Sequence, residues 1–402
     1  MMNGTANECA PKAANRLSSL FSVITTIQAP TASVNELLAR LAQCSGTLVV
    51  AGDKKGPFEY RPRLKGSAAS AGDPSGVQFL SLRSQLEGPF ELARQLPVGH
   101  YCRKNVGYLH AIAQGASCLY ETDDDNAPLS TWGLRTEYLE NIRVVNGAPA
   151  QRKNGGGWVN VYKYFTDAHI WPRGLPLDEI HSPVPPVEDR HKAESKGQRS
   201  EVRGQRSEVR SQWSVVSSPS SVVRGLWSPI QQGLVNGSPD VDAIWHLVLD
   251  RPFEFESRPS VFLPPGNWCP FNTQSTWWWP VAYPLIYVPS YCSFRMADIW
   301  KSFIAQRCLW EPDAGVAFHA PEVFQDRNPH DLMKDFRDEI PGYDRNRELI
   351  RVLEALDLKR GQGAVALNLR SCYEALVNAR FFPDKELALV DAWLSDLAKI
   401  GS

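Results

Sequence analysis

Three consecutive aspartates, Asp123-Asp124-Asp125, follow directly on an apolar, strand-like run, Ser117 to Glu121. Carboxylates crowded at the end of an apolar strand repel one another, so the arrangement is costly unless a cation or ligand offsets it. In an extended chain Asp123 and Asp125 point to one side and Asp124 to the other, so the first and third can share one ion or its water shell. Hard cations such as Mn²⁺ or Mg²⁺ take a few carboxylates plus phosphate oxygens and stay partly hydrated. The bland alternative is a solvated acidic turn.

The residues just before this strand read as a helix, Arg103 to Gln114, stopped by Gly115. Its free N–H groups and positive dipole end form an anion site, strengthened by Arg103 and Lys104. Helix and strand together outline a cradle for a cation and a diphosphate. Upstream, Phe21 to Ile27 and Thr47 to Ala51 read as buried strands, Val77 to Leu82 as a third, and Ser33 to Gln43 as an intervening amphipathic helix with Ser33 as its N-cap. Strand–helix–strand alternation predicts an α/β fold, a mostly parallel sheet flanked by helices. Ligands of such sheets collect beyond the carboxyl ends of the strands, where Asp53 and the aspartate cluster both fall.

From Glu188 to Arg224 the composition turns polar, charged and serine-rich, and the heptapeptide GQRSEVR occurs twice, at 197–203 and 204–210. The expected organisation is a disordered N-terminus (1–19), one α/β domain (20–187 and 225–342), a flexible insertion (188–224) and a small C-terminal helical appendage (343–402), with helices at Leu349 to Leu358 and Leu387 to Ile400. Lys+Arg 43 against Asp+Glu 44 excludes a sequence-independent nucleic-acid binder, which needs a basic face. Eight scattered cysteines without close pairs read as reduced thiols, so a cytoplasmic location is expected. No apolar run is long enough for a transmembrane segment, and Leu20 to Ile27 reads as a strand in preference to a signal peptide.

The stretch Arg103 to Asp125, RKNVGYLHAIAQGASCLYETDDD, resembles the Asn-Gly helix and DXD strand of GT-A glycosyltransferases, and most of all the STELLO glycosyltransferase family of plants and its bacterial and animal relatives. Ile170 to Leu177, Pro239 to Ala243, Pro270 to Gln274, Tyr291 to Arg295, Asp298 to Trp300 and Gln325 to His330 extend the resemblance over residues 20–180 and 226–345. A weaker similarity is to the reversibly glycosylated polypeptides, which include UDP-arabinopyranose mutases; Arg173-Gly174-Leu175-Pro176 stands where that family glycosylates an arginine, with leucine replacing its tyrosine.

The resemblance implies a GT-A-like, Rossmann-like fold and a nucleoside diphosphate sugar, with UDP as nucleotide, bound through Asp53, Arg103, Lys104, Asn105 and a metal on Asp123 and Asp125. The acceptor would be a glycan or small molecule, and the account leaves room for a homo-oligomer. Asp298, at the start of a helix read as Met296 to Cys308, would meet the acceptor as general base, or simply cap the helix. Arg173 would lie near the donor phosphates, receive a sugar, or make a structural ion pair. Asp240 and Asp242 would bind acceptor hydroxyls, with Asp240 capping the helix that follows as the alternative. His319, read at the end of a strand beginning at Val316, would complete the metal site or be structural. Trp277-Trp278-Trp279 would stack a sugar or pack the core. A UDP-sugar mutase, a non-catalytic sugar-nucleotide binder and a metal-dependent phosphohydrolase are the competing readings.

Overall fold

Alternate side chains of Leu20–Thr25 and Thr47–Ala51 enter two different apolar clusters, so both faces of the first strands are buried. Phe21, Val23 and Val49 join one cluster, while Leu20, Ile24, Leu48 and Val50 join the other. A strand buried on both faces needs a helix on each, which is the physical basis of the layered α/β arrangement. The protein is described here by a computed structural model covering residues 19–62, 76–146, 157–190, 225–249, 251–326 and 331–401. The repeat at 197–210, residues 1–18 and His330 lie outside these.

In chain order the strands are β1 (Leu20–Thr25), β2 (Thr47–Ala51), β3 (Val77–Leu80), β4 (Cys118–Thr122), β5 (Asn126–Pro128), β6 (Tyr138–Leu139), β7 (Ile142–Val145), β8 (Gly157–Trp158), β9 (Val187–Arg190), β10 (Leu226–Trp227), β11 (Ile230–Gly237), β12 (Val261–Leu263), β13 (Asn267–Trp268), β14 (Ser275–Trp278) and β15 (Val316–Gln325). The helices are α1 (Ala32–Gln43), α2 (Leu82–Glu87), α3 (Glu91–Gln95), α4 (Lys104–Ala113), α5 (Ala243–Leu249), α6 (Ala297–Trp310), α7 (Leu332–Glu354), α8 (Val365–Asn378) and α9 (Lys385–Gly401). Among the described residues one eleven-stranded sheet runs β3-β2-β1-β4-β14-β11-β15-β12-β7-β9, with β5 on β15. Its first four strands are parallel throughout. β14 enters antiparallel to both β4 and β11, and β11 runs parallel to β15.

On one face α1 buries Val34, Leu37, Leu38 and Leu41, each worth about 1.5–3 kcal/mol when fully buried. Its N-cap is Thr31, whose hydroxyl accepts from the Val34 N–H; Ser33, the expected cap, lies inside the first turn. On the other face α4 lies so close to β1 that a Cβ on Gly107 would stand 2.7 Å from Val23 Cγ1.

Two expectations from the sequence are corrected here. The strand beginning at Val316 runs on to Gln325, so His319 lies mid-strand and not at its end. The helix expected from Leu349 begins at Leu332 and passes through Pro341. A proline removes one helical hydrogen bond, and burial of the flanking Glu339, Gly342 and Asn346 holds the helix across it. The C-terminal helices α8 and α9 share the largest core, contributing Leu369, Tyr373, Leu376, Val390 and Trp393. No described helix is long and apolar enough to cross a membrane.

Candidate active site

A cavity of about 480 Å³ opens at the carboxyl edge of the sheet. β1 contributes Thr25 and, just past its end, Thr26; the turns after β2 and β4 contribute Asp53 and Asp123, Asp124 and Asp125. From the far half come Arg173, Asp240, Thr273 and Gln325, with Phe294 and Asp298 from the entry to α6. Antiparallel β14 serves the same edge because its amino end lies beside the carboxyl end of β4.

Each aspartate of the cluster is held differently. Asp123 Oδ1 accepts from Lys104 Nζ at 2.9 Å and from the Tyr101 hydroxyl at 2.8 Å. Lys104 is fully buried and also donates to the Thr122 carbonyl and the Tyr101 hydroxyl, so it acts on the cavity only through Asp123 and Tyr101. The Asp124 carboxylate accepts from the Thr26 hydroxyl, and its carbonyl from Thr31, which ties the aspartate turn to the start of α1. Asp125 accepts from Gln325 Nε2 at 2.9 Å. Burial, then the negative charge of Asp123, pushes the Asp125 carboxyl up to about 6, Gln325 opposing them. Burial and Asp123 also raise Asp124. The structure therefore concentrates negative charge that Lys104 only partly offsets.

Among the described residues no three carboxylate, imidazole or thiolate groups converge into a cage able to hold a metal unaided. The donors fit a hard cation whose shell is completed by a ligand: they are oxygens only, on two carboxylates facing one cavity, in a place where added positive charge relieves repulsion.

Besides Lys104, three expected ligands do not reach the cavity. Arg103 is fully buried and donates to Gln85 Oε1 and the Ala93 carbonyl, bracing the α2–α3 segment. Asn105 exchanges hydrogen bonds with the Val288 backbone. Both point away because the helix start is wedged between protein segments, and buried polar groups must find partners there. His319 lies in the interior, its ring nitrogens bonded to Ser260 at 2.6 Å and Gln231 at 2.9 Å, and burial first, then Arg135, holds it well below the usual imidazole range. With both nitrogens engaged, its role is that of a packed core histidine.

At the helix start foreseen as an anion site, the Cys102 N–H is capped from within by His100 Nδ1 at 3.1 Å. Asp53 accepts from the Gly99 and His100 N–H groups, each at 2.8 Å, and from Lys54 N–H. It lines the cavity while fastening the loop before α4.

At the opposite wall Arg173 bridges two carboxylates. Its Nε and Nη2 donate to Asp240 at 2.8 and 3.0 Å, its Nη1 and Nη2 to Asp298 at 3.0 and 2.7 Å, and Nη1 also to the Arg295 carbonyl. Burial alone would discharge Arg173, but the two carboxylates outweigh it and lift it well above its ordinary value. Burial alone would likewise raise Asp240; Arg173 reverses this and holds it below the carboxylate range. Every nitrogen of the guanidinium is engaged, which suits a positioning role and leaves no free nitrogen to accept a sugar. Asp242 is the cap of α5, accepting from Trp245 N–H at 2.9 Å, and it also takes the Trp171 indole. Trp277 and Trp278 are fully buried and Trp279 nearly so, so the tryptophan run is core. Tyr101, Thr26, Gln325 and Phe294 escape a reading of the sequence because each is an ordinary loop or element-end residue until the fold brings it to the aspartates.

The sheet order, the crossover helices and the acidic cavity at the carboxyl edge define a GT-A-like α/β protein. Residues 295–402 match the family model of STELLO glycosyltransferases. Two Arabidopsis thaliana proteins, described as probable glycosyltransferase STELLO1 and probable glycosyltransferase STELLO2, are each 26% identical to the chain. The first alignment spans 359 residues (84% of this chain, 41% of the relative) and the second 342 (81% and 40%). The chain is thus similar to STELLO-type glycosyltransferases over most of its length, and it spans about two fifths of the length of these relatives.

Proposed function

We propose that the protein transfers a sugar from a nucleoside diphosphate sugar, a UDP-sugar by family resemblance, to an acceptor hydroxyl, with Mn²⁺ or Mg²⁺ held by Asp123 and Asp125. The observation that carries this reading is the half-buried, mutually repelling aspartate group in a cavity that also admits Asp53, Asp240 and Asp298. When bound, the cation would neutralise charge on the departing diphosphate, where transition-state charge accumulates. The protein's own residues set the stage: Lys104 and Tyr101 fix one oxygen of Asp123, and Gln325 fixes Asp125. Asp298 is the carboxylate placed to accept the acceptor's proton. Arg173 orients it, so the proton would be taken by the lone pairs left free of the guanidinium.

The test is metal-dependent turnover of a panel of UDP- and GDP-sugars. Asp125→Asn should abolish it while the fold, followed by circular dichroism, stays intact; unchanged turnover in that variant would sink the assignment. Metal-dependent binding without turnover across donors and acceptors would favour the non-catalytic binder instead.

A further inference from the structure

The two ends of the cavity differ in chemistry. Around Thr26 and Asp125 the lining is hydroxyl and carboxylate, whereas at the entry to α6 an aromatic ring stands in the opening. Phe294 lines the cavity and is 54% exposed. This exposure belongs to a fastened turn. The Ser293 hydroxyl donates to the Asp338 carbonyl of α7, Arg295 pairs with Glu339 at 2.8 Å, and the Phe294 ring sits edge-on to Tyr101 with centroids 5.9 Å apart. A chain that buries the rings of Trp277, Trp278 and Phe271 leaves this one half in water, forgoing part of the stabilisation that burying a phenylalanine contributes.

Arg173, which donates to the carbonyl of the neighbouring Arg295, holds Asp240 and Asp298 on the same wall. An apolar ring face beside rigid carboxylates matches a pyranose, whose C–H face lies on an aromatic ring while its edge hydroxyls donate to the carboxylates. A serine or threonine hydroxyl of a protein acceptor would use the carboxylates and leave the ring without a purpose.

We propose that Phe294, with Asp298 and Asp240, forms a subsite for a sugar ring of the acceptor, so that the acceptor is a carbohydrate. This rests on the transferase reading of the same cavity. The donor's diphosphate is assigned to the aspartates, which Phe294 meets only through Tyr101.

The experiment is saturation-transfer NMR on the full chain with methyl glycosides of common hexoses and pentoses and short β-linked glucans, with inositol as a polyol control. It is run on wild type, Phe294→Ala and Phe294→Trp, alongside calorimetry of UDP with Mn²⁺. The expected result is contact through the C–H protons of a glycoside, weakened about tenfold in Phe294→Ala and kept in Phe294→Trp, as loss of one aromatic contact implies. UDP affinity should fall less than glycoside affinity in Phe294→Ala and hold in Phe294→Trp, because Phe294 meets Asp123 only through Tyr101. No glycoside binding at the highest soluble concentrations, equal binding by Phe294→Ala, or loss of UDP binding in step with glycoside binding would overturn the proposal. If the wild type binds glycosides and no nucleotide, the transferase reading fails while the sugar subsite stands.

Discussion

At the residue scale the aspartate cluster trades stability for a site. A folded-state carboxyl near 6 lies above its ordinary value of 3.8, so Asp125 favours the folded protein when protonated and costs stability as pH rises through about 6. Asp125→Asn removes that charge and can still accept from Gln325. In the absence of metal the variant should be more stable than wild type by roughly 1–2 kcal/mol at pH 8. The advantage should shrink as pH falls and vanish below about 4; Asp242, also near 6, titrates in both proteins and cancels. Urea unfolding at pH 8 and pH 4 measures the difference, and a variant less stable at pH 8 would contradict the electrostatic account. Arg173 behaves oppositely. Arg173→Met leaves Asp240 and Asp298 buried without their partner, and should destabilise by about 3–5 kcal/mol in the same assay.

At the scale of elements, close approach of α4 to β1 positions Tyr101 and Lys104 under Asp123. Gly107→Ala must move the helix or Val23, since the added carbon would lie 2.7 Å from Val23 Cγ1. The expected cost is about 1–3 kcal/mol, seen as a lower thermal midpoint. An unchanged midpoint would mean that the helix has room to shift. This region also shows what the sequence makes legible. β1, β2, β4, α1 and α4 were readable to within two residues at most ends because their apolar patterns and stop signals are local. The aspartates' shared site with Asp53 followed from their places at strand ends, whereas Arg173 and Asp298 entered through the family resemblance. The inward turn of Arg103 and Asn105 was not readable, because it depends on α2, α3 and the Val288 segment packing around the start of α4. His319 was misplaced for the same kind of reason: a strand buried on both faces gives no local sign of where it stops when Pro321 lies within it.

At the scale of the molecule the C-terminal helices buttress the site. Glu386 of α9, fully buried, accepts from the Tyr287 hydroxyl at 2.6 Å and from the Ser290 and Tyr291 N–H groups, fixing the segment that leads into Phe294 and Asp298. Asp396 of α9 caps α3 through the Glu91 and Leu92 N–H groups. One core joins these helices to the sheet, so unfolding should be a single cooperative transition. Glu386→Ala should move that transition as a whole by about 2–4 kcal/mol, since several buried donors lose their acceptor. A separate early transition of the C-terminal helices would contradict this. The central claim, that Asp123 and Asp125 form a cation-dependent sugar-nucleotide site, is tested most directly by calorimetric titration of UDP and UDP-sugars. The titrations compare Mn²⁺ with chelator, on wild type and on the Asp123→Asn/Asp125→Asn double variant. The account predicts binding that requires both the metal and the two carboxylates. Binding indifferent to both, or no binding of any sugar nucleotide, would contradict it.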